Sequence, residues 1–288
     1  FIVTLSELIQ PVVEISKRAG DCILEVYNRE QDIDVDYKAD DSPLTEADLG
    51  AHKVIEAGLK ALTPDIPILS EESDEIPYSV RSTWTRYWLV DPLDGTKEFI
   101  NRNDEFTVNI ALIDDGVPVL GVVYVPVLKQ LFTGVTGDGE GCGAFLTEGD
   151  GEPQPIRARS VPTKVSEETP LIVVGSRRHG ADALKRCLTR MRQHIGPVEM
   201  TSMGSSLKIC LVAAGKADIY PRLALTSEWD TGAAQAVVEA SGAILVDTEL
   251  EPLRYNQKEP MLNPFFYVIG DSSFGWSEIL EPVKAPSS

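Results

Sequence analysis

Two carboxylates three residues apart stand just after an apolar run. Tyr87-Trp88-Leu89-Val90 leads directly into Asp91-Pro92-Leu93-Asp94-Gly95-Thr96. Like charges held that close repel, and burial raises the cost further. A cation resolves the conflict. Hard oxygen ligands in a short turn suit Mg²⁺, which takes one or two carboxylates together with water and substrate phosphate. Gly95 permits an unusual backbone angle or a close approach to a ligand. Thr96 can begin a helix whose free N–H groups bind an anion. Metal carboxylates beside such a helix start suit phosphate ester hydrolysis. Asp-Pro and Asp-Gly are also ordinary turn dipeptides, so this segment alone leaves a site and a plain turn both open.

Other acidic groups recur where elements begin or end. Glu71 and Glu72 close a short apolar run, Ile66 to Leu69, and alone would read as a solvated pair. Asp48 lies three residues after Thr45, the spacing of a capping box. Asp230 opens a run with Ala233, Ala234, Val237 and Ser241 on one helical face, where a carboxylate favours the positive end of a helix. Each has a structural explanation by itself. The ensemble is what points to chemistry, because sites are built where elements end.

The elements that must hold these groups follow from periodicity. Leu5, Leu8, Ile9, Val12, Ile15 and Ala19 predict a first helix over 5–28, with Thr4 and Glu7 as a capping box and Pro11 as a source of a kink. A second helix starts near Thr45 and ends before Pro64. Phe106 to Ile113 and Val117 to Val125 flank Asp114-Asp115-Gly116 and predict a hairpin. Leu131-Phe132 and Ala144 to Leu146 predict shorter strands. Residues 147–157, rich in Gly, Pro and Glu, predict a surface loop at a domain boundary, dividing the chain into 1–157 and 158–288. Beyond it, Leu171 to Val174 reads as a strand buried on both faces, followed by helices near 181–193 and 205–215. A helix opening at Asp230 and closed by Gly242, then strands at Ile244 to Val246 and Phe266 to Ile269, complete an α+β first half and an α/β second half.

Composition narrows the function. The chain has 288 residues, 43 % hydrophobic and 25 % charged, with a net charge of −19. Intrinsic disorder is excluded, and an acidic field disfavours nucleic-acid polymers. No apolar run approaches the ~18 residues of a membrane span, and Phe1 to Leu5 does not resemble a signal peptide. Cys22, Cys142, Cys187 and Cys210 form no C-x-x-C pair and read as reduced thiols of a cytoplasmic protein.

Asp48, Ser70-Glu71-Glu72-Ser73, Asp91 to Thr96 and Trp229-Asp230-Thr231-Gly232-Ala233-Ala234 together resemble the ordered motifs of the inositol monophosphatase superfamily. The resemblance extends over about residues 5–270. It implies a layered α/β/α/β/α fold and a Mg²⁺-dependent, Li⁺-sensitive phosphatase using two to three ions. It also implies roles. Glu71, Asp91 and the Leu93 carbonyl would hold a first ion, and Asp91, Asp94 and Asp230 a second. Glu71 would help with a third, which Asp48 reaches through water. Thr96, bonded to Asp48, would orient the attacking water. The N–H groups of Gly95 and Thr96 would stabilise charge on the phosphoryl and leaving oxygens.

Lys97-Glu98-Phe99 resembles the 3′(2′),5′-bisphosphate nucleotidases of the bacterial CysQ type, whereas inositol monophosphatases usually carry Thr-Asn-Phe there. The likeness resumes at Phe106 to Ala111, Gly121 to Pro126, Gly204 to Lys208 and Tyr220-Pro221-Arg222. It implies removal of the 3′-phosphate of 3′-phosphoadenosine 5′-phosphate, in sulfur assimilation and nucleotide recycling. Residues 177–222 independently hold nine Lys/Arg against three Asp/Glu, a basic island in an acidic chain. A bisphosphate would put one phosphate on the metals and the other on this island. Lys208 and Arg222, with Ser205 as a donor, are the candidates for the 5′-phosphate. Lys97 and Ser176 join the substrate set, and the family likeness sets His179 against the adenine. Lys185, Arg186, Arg190 and Arg192 read instead as a solvated helix face. His52 and His194 read as surface or packing groups. The alternatives are an inositol (poly)phosphate phosphatase and a non-catalytic nucleotide- or cation-binding regulator. A small-molecule substrate, no transmembrane segment, a monomer and a cytoplasmic location, including the inner face of the membrane, complete the expectations.

Overall fold

The computed structural model describes residues 4–29, 33–40, 42–175 and 181–285. In chain order its elements are α1 (Leu5–Tyr27), β1 (Val35–Tyr37), β2 (Pro43–Thr45), α2 (Glu46–Leu62), β3 (Ile68–Ser70), α3 (Tyr78–Arg81), β4 (Arg86–Asp94) and α4 (Thr96–Ile100). Then follow β5 (Thr107–Asp114), β6 (Val117–Val125), β7 (Gln130–Val135), β8 (Gly143–Glu148), β9 (Gln154–Pro155), β10 (Leu171–Val174), α5 (Ala181–His194) and β11 (Val198–Thr201). The chain ends with α6 (Leu207–Ala213), β12 (Ile219–Arg222), α7 (Glu228–Ala240), β13 (Ile244–Asp247), β14 (Phe266–Ile269) and a 3₁₀ turn at Trp276–Glu278.

Two sheets alternate with helices. The first has seven strands in the order β3-β4-β5-β6-β7-β8-β9, antiparallel except for the parallel β3–β4 pair. The second has the order β11-β10-β12-β14-β13, with β10 parallel to both of its neighbours. Helices α1 and α2 cover one face of the first sheet, burying Val12, Ile23 and Ile55 against Trp88 and Ile110. α6 and α7 fill the space between the sheets, with Cys210, Ala234 and Val237 packed among Leu89, Val123 and Val268. α5 covers the outer face of the second sheet through Leu184, Leu188 and Met191. The result is the layered α/β/α/β/α order.

Close approach fixes α7 on the first sheet. A Cβ at Gly121 would lie 2.1 Å from the Ala233 carbonyl, and one at Gly134 2.5 Å from Val237 Cα. Only glycine on the strands admits that approach of the helix backbone. On the other face, Tyr27, Phe99 and Phe106 form an aromatic cluster with centroids 4.9–5.4 Å apart, which anchors the short α4. Aromatic packing of this kind adds ~0.5–1.5 kcal/mol per pair beyond the area buried.

Several local expectations change. β4 continues past Asp91 to Asp94, and its pairing with β5 breaks register between them. The Asp-Pro-Leu-Asp segment is therefore an irregularity within a strand, not a free turn. Residues 147–157 are not simply a loop, since β8 reaches Glu148 and β9 pairs Gln154 with Leu146. The helix expected from Asp230 begins two residues earlier, at Glu228. α1 spans Leu5–Tyr27 with Pro11 inside it, as the expected first helix does.

Candidate active site

Register delivers the acidic groups. Ser70 pairs with Val90, and the Glu71 N–H donates to the Val90 carbonyl at 3.0 Å, setting Glu71 beside Asp91. Asp91 pairs with Asn109 and Asp94 with Thr107, so the register break lies between the two carboxylates. Asp230 comes from the helix layer. One carboxylate oxygen each from Glu71, Asp91 and Asp230 lies within 4.8 Å of the others.

Each carboxylate is held in place. Leu93 N–H donates to Asp91 Oδ1 at 3.1 Å, and Asp91 is only 1 % exposed. Asp94 Oδ2 accepts from the Ser206 N–H at 2.7 Å and from its hydroxyl at 2.5 Å. Asp230 Oδ2 accepts the Ser227 N–H at 2.7 Å, closing the capping box of α7. Asp48 Oδ2 accepts from the Thr45 N–H and hydroxyl at 2.8 and 2.6 Å, while Asp48 Oδ1 accepts from the Thr96 hydroxyl at 3.0 Å. Helix capping and a place in the site are therefore not alternatives for Asp48, since its two oxygens do one each.

The electrostatics call for positive charge. Burial, then the charges of Glu71, Asp94 and Asp230, push the Asp91 carboxyl well above the usual range. Burial raises Asp94, and burial with the Asp94 charge raises Asp230 to about 8. Burial also raises Asp48, against the hydrogen bonds from Thr45 and Thr96. Among the described residues no lysine, arginine or histidine forms an ion pair with Asp91, Asp94 or Asp230. A close oxygen-only donor set of this kind, buried at Asp91 and part-buried at Glu71 and Asp230, fits a hard divalent cation.

The basic groups lie at the carboxyl ends of the second sheet. β10 is central, β11 lies on one side and β12 on the other, which makes a topological switch point where ligand crevices form. Ser202 to Ser205 follow β11 and Arg222 ends β12. They line a cavity of about 410 Å³ with Asp94, Lys97 and Lys208. A smaller cavity of about 90 Å³ joins it to the acids, bringing Asp94 and Asp230 against Ser205, Lys208 and Arg222. Lys208 is 9 % exposed, and its Nζ donates to the Met203 carbonyl at 3.1 Å. Burial, then Arg222, lowers its pKa. Ser205 Oγ and Arg222 Nε are buried without hydrogen-bond partners among the described residues. Ser205 also has φ 42°, a left-handed conformation that costs a non-glycine residue ~1 kcal/mol or more. Gly95, with φ 90°, packs so closely that a Cβ there would lie 3.2 Å from Ser205 Cβ. Thr96 begins α4 as expected, and Lys97 is exposed at the cavity edge. Ser176 and His179 lie outside the described residues.

Three participants escape the sequence reading. Lys38 Nζ, beside β1, bonds Glu71 at 2.7 Å and Glu72 at 2.6 Å. Burial opposes the Lys38 charge, and the two glutamates together outweigh it and raise its pKa. Burial pushes Glu72 up to about 6 despite the lysine. Ser206 and Asn109 form the support behind Asp94, with Asn109 Nδ2 donating to Ser206 Oγ at 2.7 Å. His52 is half-buried and lies 3.0 Å from the Ser70 hydroxyl, so it packs against the turn that carries Glu71.

Known proteins share this arrangement in sequence and in fold. The chain is 47 % identical over 263 residues to the 3′(2′),5′-bisphosphate nucleotidase CysQ of Escherichia coli (strain K12), covering 91 % of this chain and 99 % of that one. It is 34 % identical over 283 residues to the protein of the same name from Haemophilus influenzae, covering 97 % and 99 %. The crystal structure of CysQ from Bacteroides thetaiotaomicron, a bacterial member of the inositol monophosphatase family, superposes with a TM-score of 0.79 at 40 % identity, covering 93 % of this chain and 98 % of that one. The pattern of the inositol monophosphatase family matches residues 4–269. The chain therefore belongs to the inositol monophosphatase family.

Proposed function

We propose that this protein is a 3′(2′),5′-bisphosphate nucleotidase: a Mg²⁺-dependent, Li⁺-sensitive phosphatase that hydrolyses 3′-phosphoadenosine 5′-phosphate to AMP and phosphate. The observation that carries the reading is the small cavity with Asp94 and Asp230 on one wall and Ser205, Lys208 and Arg222 on the other. Acids and bases this close would suit a small molecule with two anionic groups, one drawn to cations at the acids and the other to Lys208 and Arg222. The near-half identity to CysQ proteins supports the nucleotide as that molecule.

Glu71, Asp91 and the Leu93 carbonyl hold one ion in this reading, and Asp91, Asp94 and Asp230 a second. Glu71 contributes to a weaker third, which Asp48 reaches through water. Divalent ions bound there lower the pKa of water and withdraw charge from the phosphoryl oxygens. The protein supplies the rest. The Thr96 hydroxyl has its proton committed to Asp48 Oδ1, so its oxygen is an acceptor that orients the attacking water. The raised Asp48 carboxyl is suited to take up the proton that water loses. The water oxygen bonds to phosphorus as the P–O3′ ester bond breaks, the departing O3′ takes a proton from a solvent water, and the proton held by Asp48 returns to solvent. The N–H groups of Gly95 and Thr96 stabilise oxyanion charge at the start of α4. Lys208, Arg222 and Ser205 would hold the 5′-phosphate and Lys97 would add a contact, while Ser176 and His179, assigned to the substrate by the family likeness, lie outside the described residues. Sulfur assimilation and nucleotide recycling supply the setting. Among the described residues no helix is long and apolar enough to cross a membrane.

The test is phosphate release from 3′-phosphoadenosine 5′-phosphate and from inositol 1-phosphate, each with Mg²⁺, with chelator, and with Mg²⁺ plus Li⁺. Release from the nucleotide that needs Mg²⁺ and falls with Li⁺ is expected. Preference for inositol 1-phosphate would keep the acidic site and remove the assignment of Lys208 and Arg222. Absence of release from either would favour a binding protein.

A further inference from the structure

Ser205 and Ser206 are neighbours in the chain but face different chemistry. Ser205 sits at φ 42°, and its buried hydroxyl, without a partner among the described residues, lies in the wall of the basic cavity. Ser206 turns the other way. Its N–H and hydroxyl lie 2.7 and 2.5 Å from Asp94 Oδ2, and its hydroxyl lies 3.0 Å from the Asp230 carbonyl. It accepts from Asn109 Nδ2 at 2.7 Å, and Asn109 Oδ1 accepts from the Thr107 hydroxyl at 2.9 Å. One peptide unit thus joins an unsatisfied donor in the cavity to the end of β4 and to the first turn of α7.

The turn has little freedom to absorb a change at one end. A Cβ at Gly204 would lie 2.8 Å from the Glu105 carbonyl, and Lys208 bonds the carbonyl of Met203. An anion drawn to Ser205 Oγ therefore acts on the Ser206 peptide, and with it on Asp94 and Asp230. Strain at an observed left-handed residue inside a ligand cavity is consistent with a functional constraint.

We propose that the Ser205–Ser206 turn couples the two parts of the site: an anion in the basic cavity tightens the hold of Asp94 and Asp230 on a divalent cation, and the cation tightens the cavity on its anion. Such coupling is reciprocal by thermodynamic necessity. Ser206 is then a positioning residue. A substrate with a single phosphate leaves the turn unengaged, so preference for two phosphates is exerted partly through the cation. The inference rests on the reading of this cavity as the second-phosphate subsite.

Calorimetric titration of the intact protein tests it, with Mg²⁺ as one ligand and AMP, which carries only the 5′-phosphate, as the other. Saturating AMP is expected to tighten Mg²⁺ binding about tenfold, within the usual range of such linkage. In Ser206→Ala, which keeps the Ser206 N–H on Asp94 but loses the hydroxyl contacts with Asp94 and the Asp230 carbonyl, that factor falls while AMP still binds without Mg²⁺. Ser206→Cys, close in size and a weaker donor, keeps part of the coupling and serves if the alanine variant does not fold. Ser205→Ala leaves Lys208 and Arg222 to bind AMP but removes the coupling, because the anion no longer engages the turn. Unchanged linkage in Ser206→Ala, or none in the native protein, overturns the proposal and leaves the nucleotidase reading standing. Linkage that survives in Ser205→Ala also overturns it, because the coupling then does not pass through the turn. Failure of AMP to bind at all removes both this proposal and the second-phosphate subsite beneath it.

Discussion

The acidic and basic walls of the site are built on opposite principles. Asp48, Asp91, Asp94 and Asp230 all accept hydrogen bonds from neighbours close in sequence or across one layer. Their positions are set, and only their charge is unresolved. On the basic wall the charge is in place but the geometry is open, since Ser205 Oγ and Arg222 Nε have no partner among the described residues. Buried polar groups are normally satisfied, so donors left open in a cavity point to a ligand that completes them. The difference separates two tasks. In the proposed function the acidic wall would fix where chemistry occurs, and the basic wall would decide which molecule is held there.

Asp94→Asn would test the first task most severely. It removes one ligand and one buried like charge together. Turnover of the bisphosphate is expected to fall on the order of 10³-fold, beyond the loss from removing a single hydrogen-bond donor. The metal-free protein should melt no lower than the native one, because a repelling charge has gone. A large drop in melting temperature without metal would mean that Asp94 holds the fold and would break the distinction.

Arg222→Gln should act on selection alone. Loss of a charged hydrogen bond to the second phosphate, worth ~1.5–3 kcal/mol, raises KM for the bisphosphate about 10- to 100-fold. With no change at the acids, kcat should move much less. An equal fall in kcat and kcat/KM would show that the basic wall acts in the transition state as well. Steady-state kinetics with a monophosphate control separates the two outcomes.

The smallest expected effect is on stability against pH without metal. Asp91, Asp94 and Asp230 have folded-state pKa values raised above the ordinary carboxylate value. The folded protein therefore keeps protons that the unfolded chain has already released, and stability falls as pH rises from about 4 towards 8. Melting temperature in chelator should drop across that window, and Mg²⁺ should reverse the trend by replacing the protons. Rising stability with pH in chelator would show that the acids are already neutralised by the protein.

The two walls also differ in how far the chain announces them. The S/T-x-x-D spacing of Thr45 with Asp48 and Ser227 with Asp230 marks helix starts, and those helix starts are part of the site. Local pattern and chemistry coincide there, so the helices and the acidic residues are legible together. The exact start of α7 is less so, because Asp230 occupies the third helical position and not the first. The three-residue strands β1 and β2 carry too little periodicity to be seen, and Lys38 goes unread with them. Ser206 and Asn109 are 97 positions apart and meet only because the fold brings the residue that caps α6 to the side chain of Asn109 on β5. The cavity depends likewise on a switch point between strands, which no local spacing reveals. β11, with Glu199 and Met200 facing out at the sheet edge, lacks the apolar alternation that marks a strand.

The contact of α7 with Gly121 and Gly134 bears on which ion the site accepts. Where a helix carrying one ligand rests backbone on backbone against the sheet carrying the others, no flexible side chain lies between them to yield. The distance from Asp230 to Asp91 is then as stiff as the peptide frame. Mg²⁺ demands short, near-ideal octahedral geometry, whereas Ca²⁺ needs longer bonds and a looser shell. Under the proposed function, widening that frame for a larger ion would mean shifting α7 against Gly121 and Gly134, two glycines outside the acidic cluster, so ionic radius would be felt there as well as at the carboxylates.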